Sequence, residues 1–298
     1  MNSKVQSLKA FLGTAARLAL VEVAGTKGST PREKGAFMLV SQGAILGTIG
    51  GGQLEYMAID KARQMLPSSS KARGARIEVN EVCATLDVPL GPEIGQCCGG
   101  RVEVLIRLID AALAAELVAA AETEEAHLPH VYIFGGGHVG QSLASAIALL
   151  PVHGVVIETR AEALEGMPET VETRLTPMPE AEVRNAPAGT AFAILTHDHA
   201  LDFLIVAEAL KRDDAAYVGM IGSKTKKATF KNWFLKSADG VEDEFARLVS
   251  PIGGDAVKDK RPPVIAALAA AEIMTALVMH SAVSNAGHQV QHRKVMAG

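Results

Sequence analysis

A glycine-rich turn near the middle of the chain constrains the fold more than any other feature. The apolar run VYIF leads into GGGHVG, in which Gly135, Gly137 and Gly140 have the spacing G-x-G-x-x-G. An amphipathic helical pattern begins directly after the turn, and a second apolar run ends at Glu158, 18 residues after Gly140. A strand, a glycine turn, a helix and a second strand in this order indicate one unit of a parallel sheet.

The same rhythm continues to the end of the chain, while the first part differs. Apolar runs such as AFAIL and AYVGMI alternate with helical patterns, which favours a parallel sheet covered by helices on both faces. The first part has shorter strand patterns and glycine-rich loops. The predicted fold class is therefore α/β, with a smaller N-terminal α+β domain over 1–125 and a C-terminal Rossmann-like domain over 126–298. The acidic stretch ETEEAHLPH contains the boundary.

Three local expectations follow from the same patterns. Strands are predicted over Arg76 to Val82 and Arg101 to Ile109, and the segment from Cys83 to Gly100 between them reads as irregular. The last helix is predicted over about Pro263 to His280, followed by a mobile tail. This helix is apolar on most faces, so it is expected in a core or a dimer interface.

Composition excludes several classes of protein. Of the 298 residues 48% are hydrophobic, which argues against a disordered chain. The net charge of −4 and the small number of aromatic residues argue against a nucleic-acid surface. Three cysteines without C-x-x-C spacing predict neither a disulfide framework nor a structural zinc site. The apolar stretch from Val264 to Met279 contains Glu272 and is expected to be too short and too charged for a membrane span, so we predict a soluble, cytoplasmic protein.

The G-x-G-x-x-G turn suggests a ligand. Gly135 permits the turn, Gly137 lets the backbone approach a pyrophosphate, and Gly140 lets helix and strand pack closely. The helix N-terminus favours the anion, and Glu158 is placed to accept hydrogen bonds from ribose hydroxyls. The alternative is a turn of the same shape that binds no dinucleotide.

A polar cluster follows the strand AFAIL. Thr196, His197, Asp198 and His199 stand where the carboxyl end of a parallel strand is expected, which is the edge at which such sheets bind ligands. Asp198 is either the N-cap of the next helix or a ligand contact, and both interpretations remain open. The two histidines would need a bent loop to share a metal ion.

A third candidate is Gly222, Ser223 and Lys224 in YVGMIGSKTKK. Ser223 is predicted to cap a helix whose first turn carries Lys224 and two further lysines. Lysines are unfavourable at the positive end of a helix dipole, and a bound phosphate would offset that cost. A solvated basic face is the alternative.

The N-terminal half has a glycine turn of its own. Gly50, Gly51 and Gly52 run into a helix that begins near Gln53, which is compatible with anion binding. A tight connection with little room for Cβ atoms explains the same residues.

The most distinctive segment is GQCCGG, with Gln96, Cys97 and Cys98. Three interpretations of the cysteine pair remain open. The cysteines are small buried hydrophobic residues, or they lie in an accessible loop where a thiolate binds a soft metal or takes part in sulfur transfer. In the third interpretation the pair forms a vicinal disulfide.

Together these segments resemble the XdhC/CoxI family, maturation factors of molybdenum hydroxylases such as xanthine dehydrogenase. The resemblance runs from about Leu18 to Met279. It is carried, in order, by GSTPREKGAFMLV, GTIGGGQLE, EIGQCCGG, YIFGGGHVG, LTHDHALD, YVGMIGSKTK, SPIGG and DKRPPVIAA.

The resemblance implies a chaperone that binds the molybdenum cofactor (molybdopterin), protects it during sulfuration and helps insert it into its target. It implies an N-terminal site at Gly50 to Gln53 and Gln96 to Cys98, with Cys97 and Cys98 as candidate molybdenum contacts. It also implies a Rossmann-side site, whose members are Gly135, Gly137, Gly140, His197, Asp198, His199 and Ser223. The residue patterns described above add Glu158, Gly222 and Lys224 to this site. The implied partners are apo xanthine dehydrogenase or a similar molybdenum hydroxylase and a cysteine desulfurase. The apolar last helix favours a second copy of the chain as a further partner, and the composition favours neither nucleic acid nor membrane.

Two other functions remain open at this point. An NAD(P)-dependent oxidoreductase would explain the Rossmann-type turn but leave the cysteine pair without a role. A scaffold that holds the apo-dehydrogenase without cofactor would use surface charge. Whether the chain has turnover of its own is left open by the sequence, although the resemblance implies that it has none.

Overall fold

The chain folds into two compact units, one over 2–125 and one over 126–298. The computed structural model describes residues 4–14, 17–66, 83–91 and 99–295, with side chains described up to residue 283. Gln96, Cys97 and Cys98, and the strand predicted over 76–82, lie outside these residues. Each unit has its own sheet and its own core.

The first unit contains a five-stranded antiparallel sheet in the order β3-β2-β1-β5-β4. Its strands are β1 (Ala19–Lys27), β2 (Phe37–Val40), β3 (Ile45–Gly47), β4 (Cys83–Pro89) and β5 (Arg101–Leu108). The prediction that Cys83 starts an irregular segment was wrong, because Cys83–Pro89 pairs with β5 over its whole length. An edge strand of this kind tolerates a terminal proline, since one side needs no ladder hydrogen bonds.

Helices cover both faces of this sheet. They are α1 (Lys4–Thr14), α2 (Gly52–Met65) and α3 (Ala111–Ala126). Leu54, Ala58 and Ala62 of α2 are buried against one face, while α1 and α3 pack on the other. Successive side chains of β1 point to opposite faces of the sheet, so β1 contributes to both cores. With an antiparallel sheet and helices on its faces, the first unit is an α+β unit.

The second unit is built on a six-stranded sheet in the order β11-β10-β9-β6-β7-β8, in which every pair is parallel. Its strands are β6 (His130–Phe134), β7 (His153–Glu158), β8 (Glu172–Leu175), β9 (Ala191–Ile194), β10 (Tyr217–Met220) and β11 (Leu248–Val249). The sequence patterns missed β8, a short and mostly exposed edge strand.

Helices lie on both faces of the parallel sheet. They are α4 (His138–Ile147), α5 (Pro179–Asn185), α6 (His199–Leu210), α7 (Lys224–Ser237), α8 (Glu242–Ala246) and α9 (Pro262–Val295). One core joins the sheet to α4 and α9, and the other joins it to α5, α6 and α7. The predicted α/β class, with a Rossmann-like parallel sheet and a smaller α+β unit, is confirmed.

The last helix is longer than its sequence pattern suggested, since it continues through the expected tail to Val295. Its part Pro262–Val283 is long and apolar enough to cross a membrane, so the expectation of a stretch too short for that was wrong. One such helix is weak evidence for a span, because core helices pass the same test. Ile273 and Leu277 are buried in the core, and Glu272 accepts a hydrogen bond from Tyr217.

Candidate functional site

The carboxyl ends of β6 and β9 form the point at which the strand order of the parallel sheet reverses. The chain leaves β6 toward β7 on one side and later returns to β9 on the other. A crevice opens at such a reversal, and sheets of this class bind their ligands there. Two of the predicted site segments follow these strands: the glycine turn after β6, and Thr196 to His199 after β9.

The two segments are in close contact. Leu195 N donates to Phe134 O at 2.8 Å. Gly135 has φ +111°, and a Cβ at this position would lie 2.6 Å from Leu195 O. Gly135 is therefore needed both for its backbone conformation and for the approach of the neighbouring loop.

The other glycines of the turn divide into two kinds. A Cβ on Gly136 would lie 2.2 Å from Ala163 O, and one on Gly140 would lie 1.9 Å from Gly135 O, so both positions are packed against backbone. Gly137 caps α4, is exposed, and a Cβ there would meet no atom within 4 Å. The first amides of a helix have no acceptor within the helix. The N-terminus of α4, which is the positive end of the helix dipole, therefore borders unfilled space at Gly137.

Glu158 ends β7 and is 4% exposed. One carboxylate oxygen accepts from Gly136 N at 2.9 Å, and the other accepts from Thr159 N at 2.8 Å and Arg160 N at 3.2 Å. The Arg160 guanidinium also donates to Glu158, 3.1 Å from Oε2. Burial raises the pKa of Glu158, but the hydrogen bonds and the charge of Arg160 outweigh it and lower the pKa to about 2.

These contacts bear on the expected role of Glu158. A carboxylate has about four acceptor positions, and the main chain and Arg160 use them. A ribose hydroxyl would have to displace one of these donors. Glu158 as it stands holds the Gly136 amide and the start of the loop after β7.

The segment after β9 is organised by Asp198. Its Oδ1 accepts from Ala200 N at 2.7 Å and Leu201 N at 3.4 Å, so the predicted N-cap of α6 is confirmed. His197 and His199 are exposed beside it. Within the described ranges, no three His, Cys, Asp or Glu side chains are placed to share a metal ion.

The third segment follows β10 and lies next to the second, because Ile221 N donates to Ile194 O at 2.9 Å. Ser223 Oγ accepts from Lys226 N at 3.2 Å, which confirms the predicted cap of α7. Lys224 is exposed, with Nζ 3.4 Å from a carboxylate oxygen of Asp255.

Sequence reasoning missed the pair beneath these segments. Lys226, counted there among the lysines of a basic helix start, is buried and forms an ion pair with the fully buried Asp202. The available signal was Asp202 itself, a carboxylate near the start of the largely apolar helical stretch ALDFLIVAEAL. Buried carboxylates need partners, but the pattern does not name the partner.

The glycine turn of the first unit has a different local structure. Gly50 and Gly51 have φ of +126° and +77°, and Gln53 is exposed in the first turn of α2. Glu55 Oε2 accepts from Ile49 N at 3.0 Å and Gly51 N at 3.1 Å. A carboxylate of the chain itself thus lies at the position where an external anion was expected.

The loop before β2 packs against both glycine segments of this unit. A Cβ on Gly50 would lie 2.7 Å from Pro31 Cγ, and one on Gly100 would lie 2.2 Å from Ser29 O. Gly100 follows closely on the cysteine segment, which itself lies outside the described residues. Glycine is thus required at position 100 by close backbone packing, and at position 50 by the positive φ and the Pro31 side chain beside it.

Fold and site define a two-unit α/β protein whose larger unit has Rossmann topology and an exposed glycine turn at its switch point. A family model for the XdhC Rossmann domain matches residues 131–273, and one for the XdhC and CoxI family matches residues 13–77. The chain belongs to the XdhC/CoxI family.

Two individual proteins extend the comparison. The uncharacterized protein YqeB of Escherichia coli K12 is 26% identical over 269 residues, which are 86% of this chain and 43% of YqeB. The chain thus spans less than half of that relative. A crystal structure from Bacillus halodurans, described as a xanthine dehydrogenase, is 18% identical and matches with a TM-score of 0.75 over 93% of this chain and 96% of that one. At this identity the likeness concerns the fold alone.

Proposed function

We propose that this chain acts in the maturation of xanthine dehydrogenase or a related molybdenum hydroxylase, as a cytoplasmic chaperone for the molybdenum cofactor. Membership in the XdhC/CoxI family supports the general role in maturation. The observation that carries the cofactor-binding part is the open start of α4 at Gly137, at the switch point of the parallel sheet.

The chemistry of this edge fits a phosphorylated cofactor. Molybdopterin carries a phosphate and, through its dithiolene, the metal. Gly137 and His138 would offer main-chain amides to the phosphate at the positive end of the α4 dipole. The exposed His197 and the Ser223 hydroxyl lie on the adjoining segments and would orient the rest of the molecule.

The remaining parts of the proposal rest on the sequence. Cys97 and Cys98 would contact the metal, and a cysteine desulfurase would supply the sulfur for the sulfido ligand. The first-unit turn is a weaker phosphate site than the Rossmann-side turn, since Glu55 already accepts from its amides. The target apoenzyme and a second copy of the chain complete the set of proposed partners.

Cofactor retention tests the proposal. The full chain is mixed with molybdenum cofactor freshly released from a purified molybdenum hydroxylase, desalted, and assayed for bound molybdenum and pterin. We expect stoichiometric retention by the wild type and reduced retention by the Cys97→Ser, Cys98→Ser double variant, with Cys83→Ser as the matched control. No retention by the wild type would refute cofactor binding, and unchanged retention in the double variant would refute the thiol contact.

The dinucleotide alternative is less well supported. Titration with NADH and NADPH, followed by fluorescence, measures it directly. Because the acceptor positions of Glu158 are taken, the ribose hydroxyls gain no carboxylate partner, and we expect only weak binding of either dinucleotide.

A further inference from the structure

The Asp202–Lys226 ion pair lies directly beneath the edge at which the site is proposed. Asp202 is fully buried in the first turn of α6, and Lys226 is 9% exposed in the first turn of α7. Oδ2 of Asp202 contacts Nζ of Lys226. A fully desolvated pair of this kind is a poor stabiliser, because an apolar pair of similar volume often serves the fold as well or better.

The other contacts of the two side chains lead to the site. Oδ1 of Asp202 accepts from Thr196 N at 3.0 Å and lies 2.6 Å from Thr196 Oγ1. Nζ of Lys226 donates to Ile221 O at 3.0 Å. Thr196 and Ile221 are the residues at which the chain leaves the β9 and β10 ends of the sheet. One ion pair therefore ties together the two segments that carry His197 and Ser223.

Gly222 is part of the same arrangement. A Cβ at this position would lie 2.6 Å from Cδ of Lys226, so the turn before α7 accepts only glycine while the lysine stem passes beneath it. Lys226 also donates its own amide to Ser223 Oγ. Of the two residues that the sequence suggested as ligand contacts, Gly222 is thus set by the Lys226 side chain, and Ser223 is held by the main-chain amide of the same residue.

We propose that Asp202 and Lys226 are positioning residues that hold the segments after β9 and β10 in the geometry that binds the ligand. The pair sets ligand affinity, and the fold itself does not need its charges. The affinity part rests on the proposed function, because it requires a ligand at this edge.

The experiment compares two double variants of the full chain. Asp202→Leu with Lys226→Met replaces the pair by apolar side chains and removes the acceptor for Thr196 and the donor to Ile221. Asp202→Asn with Lys226→Gln removes the charges but keeps an acceptor and a donor. The matched control is Glu208→Leu with Arg184→Met, which removes a partly exposed ion pair between α5 and α6, toward the far end of α6.

Two measurements are made on each variant: retention of released molybdenum cofactor, and hydrogen exchange of peptides that cover residues 195–201 and 221–227. We expect the apolar variant to stay folded with a lower melting temperature, because Thr196 N and Ile221 O lose their partners, to bind the cofactor at least about tenfold more weakly, and to exchange faster in both segments together. The amide variant is expected to recover most of both properties, and the control to match the wild type.

The outcomes separate this inference from the proposed function. If the wild type retains no cofactor, the proposed function fails, and the exchange measurement alone decides whether the pair positions both segments. Unchanged exchange in the apolar variant overturns the positioning role, as does wild-type affinity when the cofactor binds. An apolar variant that does not fold also overturns it, because the pair would then be required for the fold.

Discussion

The two glycine turns of this chain look alike in sequence and differ in what occupies them. Each leads from a strand end into a helix, with Gly51 and Gly137 as the caps of α2 and α4. Four residues after the cap stand Glu55 in one turn and Gln141 in the other. Glu55 turns back to accept from Ile49 N and Gly51 N, whereas in the other turn Gly135 N donates to Ile157 O and a Cβ on Gly137 would meet no atom within 4 Å.

This difference shows that a glycine-rich helix start is an anion site only where no carboxylate of the protein itself occupies it. A carboxylate in the first turn interacts with the same positive end of the helix dipole as a phosphate would, and therefore competes with it. The turn after β6 also has a carboxylate close by, that of Glu158. It accepts from the amide of Gly136, and the space beside the next residue, Gly137, is unfilled.

The largest effect is expected at Gly140. The Cβ of a Gly140→Ala variant would lie 1.9 Å from Gly135 O, so the helix start and the turn would have to move apart. We expect a loss of about 2–4 kcal/mol in the free energy of unfolding, measured with urea. Gly137→Ala is the control, with φ −70° and unfilled space around the new methyl group, and is expected to stay within about 0.5 kcal/mol of the wild type. Equal losses in both variants would contradict the division of the turn into packed and open glycines.

The second effect concerns Glu158 and depends on pH. Its pKa in the folded protein, about 2, lies below the ordinary value of 4.5, so the ionised form stabilises the fold above that value and the contribution is lost as the pH falls toward 2. We expect Glu158→Gln to lose about 2–3 kcal/mol at pH 7 and to approach the wild type near pH 2. Unfolding curves at several pH values measure this. The exposed Glu165→Gln is the control, and a gap that does not change with pH would contradict the assignment.

Much of this arrangement followed from local sequence, because glycine turns, caps and continuous apolar strands are set by neighbouring residues. The structural roles predicted for Gly135 and Gly140 are found, because the conformation or packing of the backbone demands glycine there, whereas the approach of Gly137 to a pyrophosphate stays a prediction. The edge strands β4 and β8 were missed because their stability comes from pairing with distant strands.

The partners of the charged side chains at the site could not be predicted in the same way. The hydrogen bond from the Gly136 amide to Glu158 joins residues 22 positions apart, and the ion pair of Asp202 with Lys226 joins residues 24 positions apart. A motif gives the residue types at such positions, whereas the partner that takes up each charge is decided by tertiary packing. Thus the sequence pointed to both turns equally, and the fold distinguishes them.

A smaller effect on stability is expected at Glu55. The Glu55→Gln variant weakens the contacts to Ile49 and Gly51 and to the Thr48 hydroxyl, which lies 2.5 Å from Oε2. We expect a loss of about 1 kcal/mol, typical of a helix-start carboxylate. Thermal unfolding measures it, with the exposed Glu116→Gln on α3 as the control. A stability equal to that of the wild type would mean that Glu55 does not occupy the turn in solution.

The smallest effect is expected on the affinity for phosphate. It concerns a variant that gives the start of α4 a carboxylate like that at the start of α2. Gln141→Glu places a carboxylate four residues after the cap of α4, in the position that Glu55 has in α2. We expect binding of inorganic phosphate, followed by the amide NMR signals of Gly137 and His138, to weaken roughly two- to fivefold, because the new charge competes for the same helix end. Ser145→Glu adds the same charge one turn further along α4 and should change the affinity less, since the dipole effect is confined to the first turn. If both variants bind phosphate like the wild type, the start of α4 is not where anions bind, and the two turns are alike in function despite the different contacts of their carboxylates.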